Sequence, residues 1–227
     1  MKAVFKFVDY EKVREEGAPK TGARLFLQLF LDNVWDLFFL NLIVALCAVP
    51  VVTLGPALAA ANRVAFNMVR GECAYATKEF FRYFKISFLQ GLGSGLLMAG
   101  VGVALVTFVR SCFIGLERSA FLWIPIGLSI AVAAMIALSL LYVFTLCGTS
   151  TLNPMQIVKN SLILGITQLR ANLIPLSACL AVFIPEALFL PKSLPVLVLF
   201  GIMPQIFITN FFVYKPILRY VLTKGSE

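Results

Sequence analysis

Residues 56–69 read PALAAANRVAFNMV, and the placement of this stretch decides the fold. It is apolar but short, and it carries Asn62, Arg63 and Asn67. A helix needs about 20 apolar residues to cross a hydrocarbon core, so on length alone the stretch reads as a re-entrant or buried segment. The surrounding charges argue otherwise. Six basic residues precede the first long apolar run: Lys2, Lys6, Lys12, Arg14, Lys20 and Arg24. If 56–69 crosses, these share a side with Arg70, Lys78, Arg82, Lys85, Lys159, Arg170, Lys215, Arg219 and Lys224. Only Arg110, Arg118 and Lys192 then fall on the other side. Fifteen of the nineteen Lys and Arg residues lie together, three lie opposite, and Arg63 sits inside the span. If the stretch does not cross, every later loop changes side and the split becomes nine against nine. Cytoplasmic loops of membrane proteins carry the Lys/Arg excess. The crossing arrangement is therefore expected, with the short helix shielded from lipid by its neighbours.

Composition agrees. Hydrophobic residues make up 60% of the chain and charged residues 13%, against roughly 45–50% and about 25% in soluble domains. The 227 residues hold six spans and little else. The expected fold is all-α, a polytopic transmembrane helical bundle of six spans with a short second helix, in the plasma membrane with both termini cytoplasmic. It divides into a polar N-terminal segment (1–21), a transmembrane helical domain (22–220) and a C-terminal tail (221–227). The opening MKAVFKFVDYEKVREEGAPK mixes both charge signs and lacks the continuous apolar region of a secretory signal. The first span is therefore expected to act as the insertion signal and to remain.

The net charge of +8 suits loops held against anionic headgroups, and no soluble basic domain is present to bind nucleic acid. The five cysteines, Cys47, Cys73, Cys112, Cys147 and Cys179, are scattered and form no CxxC pair. Neither a disulfide framework nor a zinc site is expected. There is no histidine, which removes the commonest general acid/base and metal ligand. No metal or other cofactor is expected.

Along the chain, GARLFLQLFL (22–31) spaces Leu25, Phe26, Leu29 and Phe30 as one face of an amphipathic lead-in helix. An extension of the first span fits these residues equally well. The first span runs near Val34–Val52 and is broken by Pro50 and Gly55-Pro56. Residues 75–85, YATKEFFRYFK, interleave Phe80, Phe81 and Phe84 with Lys78, Arg82 and Lys85, as in a helix lying in the headgroup layer. Nucleic acid is the weaker reading of that pattern, because spans flank it closely. A third span near Ile86–Val109 is rich in glycine. Its Gly91 and Gly95 form a GxxxG, read as tight packing inside the bundle, with dimerisation the lesser alternative. A fourth span near Phe121–Leu146 places Trp123 at its outer end. Asn153 and Pro154 suit the N-cap and first position of a helix over 153–168. A fifth span near Leu173–Leu190 has Pro175 in its first turn. A sixth near Leu194–Val213 has Pro204 as a kink. No internal repeat is evident, so inverted transporter halves find no support.

The stretch NLIVALCAVPVVTLGPALAAANRVAFNMVRGE (41–72) resembles the YesL-like family of small multi-pass bacterial membrane proteins. KEFFRYFKISFLQG (78–91), LYVFTL (141–146) and QIVKNSLILGI (156–166) resemble further blocks of that family. The likeness is strongest over 41–91. One departure is CGTSTLN (147–153), where the family often carries a charged run after Tyr-Val-Phe. The resemblance implies a membrane protein of unestablished activity associated with carbohydrate uptake. Its partners would be the lipid bilayer and ABC-type sugar permease subunits. It carries no catalytic residues over.

Polar groups within spans are costly and are functional candidates by default. At about 1.5 Å per residue, Asp36 lies about 3 Å and Asn67 about 4.5 Å in from the cytoplasmic helix ends, with Asn41 and Arg63 about 10 Å in. The expected cluster is Asp36, Asn41, Asn62, Arg63 and Asn67, joined by Gln205 and Asn210 of the last span. It serves either as a binding site or conduit lining, or as glue between the first two spans with Arg63 satisfied by Asn41, Asp36 or carbonyls freed at prolines. Glu117, Arg118 and Glu186 read as solvated interface charges. No nucleophile–base pair for an intramembrane enzyme is visible. Two functions follow: a non-enzymatic accessory of a carbohydrate uptake system, or a small solute transporter or channel using the polar cluster.

Overall fold

The computed structural model describes residues 23–71, 75–115, 121, 123–150, 152–189, 192 and 201–217. Every structural statement below concerns these residues. The 1–21 segment, the 221–227 tail, Cys73, Glu117, Arg118 and residues 194–200 of the expected sixth span lie outside them.

The described chain is helical, without strand. In order it forms α1 (Ala23–Asp32), α2 (Val34–Ala48), a 3-10 turn (Val51–Thr53), α3 (Leu54–Val69) and α4 (Ala76–Ile86). The long helices α5 (Phe88–Gly115) and α6 (Trp123–Thr149) follow, then α7 (Pro154–Thr167), α8 (Leu169–Leu188) and α9 (Ile202–Ile217). Two stretches, Phe88–Ile114 and Trp123–Thr149, are long and apolar enough to cross a membrane. The total rises to four if two bent helix pairs each count as one span. One of these pairs joins α1 to α2 at 66° and the other joins α7 to α8 at 104°.

The segment 56–69 lies within α3, the centre of the structure. Twelve of the sixteen residues of α3 are buried, and the helix packs against α2, α4, α5, α6 and α9. Its one face joins Leu37, Leu40 and Val44 of α2, Phe80 of α4 and Phe207 of α9 in one apolar core. Its other face gives Ala59 and Phe66 to a second core with Met98 of α5, Tyr142, Leu146 and Cys147 of α6, and Ile157 of α7. Five alanines on α3 keep its surface low, so that other helices approach closely.

Glycine does the same across the α3–α5 contact. A Cβ on Gly91 would lie 2.7 Å from Pro56 Cα, and one on Gly55 would collide with the Gly91 carbonyl oxygen. Gly95 faces the Gly55 Cα as well, so the GxxxG of α5 is spent inside the bundle on the start of α3.

Helix ends and breaks have local causes. Asn33 separates α1 from α2, its Nδ2 donating to Leu29 O at 2.7 Å. In α1 it is Leu25, Phe26, Leu29 and Phe30 that are half-buried. Phe26 meets Phe211 of α9 edge-on at 5.2 Å between ring centroids. Pro50 ends α2, and the Thr53 hydroxyl donates to the carbonyls of Cys47 and Pro50. Asn153 and Gln156 form a capping box at the start of α7, with Pro154 at its first position. Past the end of α7, Asn172 Nδ2 donates to Gly165 O at 3.1 Å, taking up a carbonyl of the last turn. Helix α8 begins at Leu169, so Pro175 is interior rather than in the first turn. Described α9 begins at Ile202, and the expected kink at Pro204 depends on residues 194–200, which lie outside the described residues.

Gly91→Ala is expected to lower stability by about 1–3 kcal/mol, because the added methyl has no room against Pro56. Gly100→Ala, where a Cβ meets nothing within 4 Å, should gain up to about 1 kcal/mol from helix propensity. Thermal unfolding of the two variants in one detergent checks the opposite signs.

Candidate functional site

The candidate polar residues do not gather into one cluster. Two of them, Asn62 of α3 and Asn210 of α9, meet directly and recruit a third partner, Thr145 of α6. Asn62 Oδ1 accepts from Thr145 Oγ1 at 3.0 Å and from Asn210 Nδ2 at 2.9 Å. Each amide also donates to the carbonyl four residues back on its own helix, Leu58 O and Ile206 O, both at 2.8 Å. One buried oxygen thereby ties three helices. Asn210 is fully buried, and its Oδ1 has no hydrogen-bond partner among the described residues.

The remaining candidates make separate contacts. Asn41 Oδ1 on α2 accepts from the backbone N–H of Ile202 and Met203, at 2.9 and 2.8 Å. These amides open described α9, and their acceptors in a continued helix would be residues 198 and 199, outside the described residues. Asn67 Nδ2 donates to Glu79 Oε2 of α4 at 2.8 Å, while Asn67 Oδ1 is buried without a partner among the described residues. Gln205 Nε2 donates to Glu186 Oε2 of α8 at 3.2 Å. Asp36 is exposed.

Arg63 is half-buried. Gly148 of α6 makes room for it, since a Cβ there would lie 2.8 Å from Arg63 Cβ. Its guanidinium stands over the Tyr83 ring of α4, 5.2 Å from the centroid, and its Nε is buried without a hydrogen bond among the described residues. A cation over an aromatic face is attracted by the ring quadrupole, more so where water is excluded.

Glu186 corrects an expectation. Read as a solvated charge, it is 8% exposed and faces α9. The helical turn that carries it points inward, which its place near the end of an apolar run does not reveal.

Sequence reasoning also missed Thr145, Glu79, Tyr83 and the pair Tyr142–Asn172, whose hydroxyl-to-amide contact of 2.6 Å ties α6 to α8. A signal existed for two of these. Ser139, Tyr142, Thr145 and Thr149 recur at helical spacing on α6 and are all buried, a polar stripe on an otherwise apolar helix. Chemically, the Asn62 junction is an exchange of hydrogen bonds among two amides and a hydroxyl, which suits holding helices together rather than moving protons.

A family described as a protein of unknown function, DUF624, matches residues 30–107. The match runs from the end of α1 through α2, α3 and α4 into α5 and so includes the central helix. Neither the curated proteins nor the solved structures contain a match to the chain.

Asn62→Ala should cost on the order of 1–3 kcal/mol, because it strands the Thr145 and Asn210 donors in a buried site. Thr145→Val, which removes one interhelical hydrogen bond at nearly constant shape, should cost about 0.6 kcal/mol. Unfolding of both variants in mixed micelles measures the difference.

Proposed function

We propose that this chain is a YesL-like polytopic protein of the plasma membrane, threading the bilayer six times with both ends cytoplasmic. It acts as a non-enzymatic accessory component of a carbohydrate uptake system. The spans are α2, α3, α5, α6, α8 and the segment that includes α9. Helices α1, α4 and α7 lie toward the cytoplasmic side.

The observation that carries this reading is the enclosure of α3. Sixteen residues at about 1.5 Å each extend only about 24 Å, less than the roughly 30 Å hydrocarbon core. A short helix bearing Asn62, Arg63 and Asn67 suits a bilayer only inside a sleeve of other helices. Five helices supply that sleeve. The outer surface supports the same placement. Only 11% of the apolar window of α5 is buried, and Leu89, Leu96, Val103 and Val106 are all more than 60% exposed. Trp35 and Trp123 project from the bundle, 73% and 62% exposed, and exposed indoles belong at membrane interfaces.

The accessory role rests on the motif resemblance, together with polar residues that spend their hydrogen bonds on neighbouring helices. The transporter reading draws on the buried, unpartnered Asn210 Oδ1 at the three-helix junction. The two part experimentally. Recovery of permease subunits in fixed ratio with the tagged chain, from membranes of cells grown on the transported sugar, is the result expected of an accessory. Solute flux by the purified chain alone in liposomes, with no permease recovered, would overturn that role in favour of transport.

A further inference from the structure

We propose that the outer face of α4, together with Arg63, is a binding site for the phosphate of an anionic phospholipid. The site rests on the membrane placement argued above and adds to it a lipid class and the residues that select it.

Two guanidinium groups from different helices converge on one ring. Arg63 Cζ lies 5.2 Å and Arg82 Cζ 5.9 Å from the Tyr83 centroid. Like charges drawn to one ring repel each other unless an anion joins them. Glu79 of α4 is half-buried and gives Oε2 to Asn67 of α3, and among the described residues it makes no ion pair with Arg63 or Arg82. Arg63 retains an unspent buried Nε–H, and a guanidinium presents paired donors that match phosphate oxygens.

The surroundings favour a lipid over a soluble phosphate. Phe80 is fully buried in the bundle and fixes α4 with its other side outward. On that outward side Tyr75, Lys78, Phe81, Arg82, Lys85 and Ile86 are all exposed. Their spacing of three and four residues puts them on one face. Of these, Arg82 and Ile86 lie nearest the Arg63–Tyr83 pair, and Ile86, 65% exposed, offers apolar surface beside it. Cations next to exposed apolar side chains complement a headgroup with its acyl chains attached. A free phosphate would leave Ile86 uncovered.

Native mass spectrometry of the full chain tests the site, with equal amounts of phosphatidylglycerol and phosphatidylcholine supplied in detergent. The intact chain should retain phosphatidylglycerol in preference. Arg82→Gln, an exposed position, should reduce that preference about fivefold, and Arg63→Gln should do the same. Lys159→Gln, exposed on α7, a helix outside those that pack chiefly against α4, should leave it unchanged. Equal retention of the two lipids by the intact chain would overturn the site. An equal loss in Lys159→Gln, or displacement of phosphatidylglycerol by millimolar inorganic phosphate, would do so as well. Carbonate extraction of membranes is scored in parallel. A chain extracted by carbonate refutes the membrane placement, whereas an inserted chain without lipid preference refutes this site alone.

Discussion

A polar helix too short to cross a bilayer unaided can persist there only when protein takes the place of lipid on every side. On the proposed threading that constraint falls on α3, and the neighbouring elements answer to it. Lipid offers no hydrogen bonds, so each amide on α3 must find its partner in another helix or on its own backbone. Asn62 does both, and Asn67 reaches Glu79. Close approach is the second requirement, because tight packing rather than a hydrophobic driving force holds helices together in lipid. The alanines of α3 and the glycines at 55, 91, 95 and 148 answer it. Where Gly148 leaves space on α6, the Arg63 side chain passes and ends against Tyr83.

The same economy governs the breaks. Each interruption of a helix frees backbone groups that a bilayer would leave unpaired. Asn41 accepts two amides at the start of described α9, Thr53 donates to the carbonyls left at the end of α2, and Asn172 reaches back into the last turn of α7. These are short polar side chains on apolar helices, placed at the points where the backbone ladder fails. Their structural role is clear without any ligand, which is why a polar residue in a span is not in itself a site.

Much of the local structure was legible in the sequence. The half-buried positions of α1 are the four that its period marks, and the Asn-Pro start of α7 is where the cap forms, because both follow from contacts between residues close in sequence. The close packing at Gly91 and Gly95 was legible too, since small residues at that spacing have few other uses. The partnerships of the polar residues were not. Thr145 and Asn210 reach Asn62 across 83 and 148 residues of chain, and periodicity cannot say which faces oppose. Position in the cytoplasmic half put Asp36 in one cluster with Arg63, but rotation about the axis turns Asp36 outward to an exposed position. Glu186 fails for the same reason in reverse. Its place near the end of a span suggested water, and the helix turns it against Gln205.

The direct test is the side of the membrane on which α4 begins, six residues beyond the central helix. Thr77 is exposed near the start of α4, so Thr77→Cys in a chain otherwise free of cysteine can be labelled with an impermeant maleimide. If α3 traverses the bilayer, Thr77→Cys reacts in inside-out vesicles and not in right-side-out ones, as does Arg24→Cys ahead of the first span. Labelling of Thr77→Cys from the external face, with Arg24→Cys still cytoplasmic, would mean that α3 turns back and that the enclosed traverse does not exist.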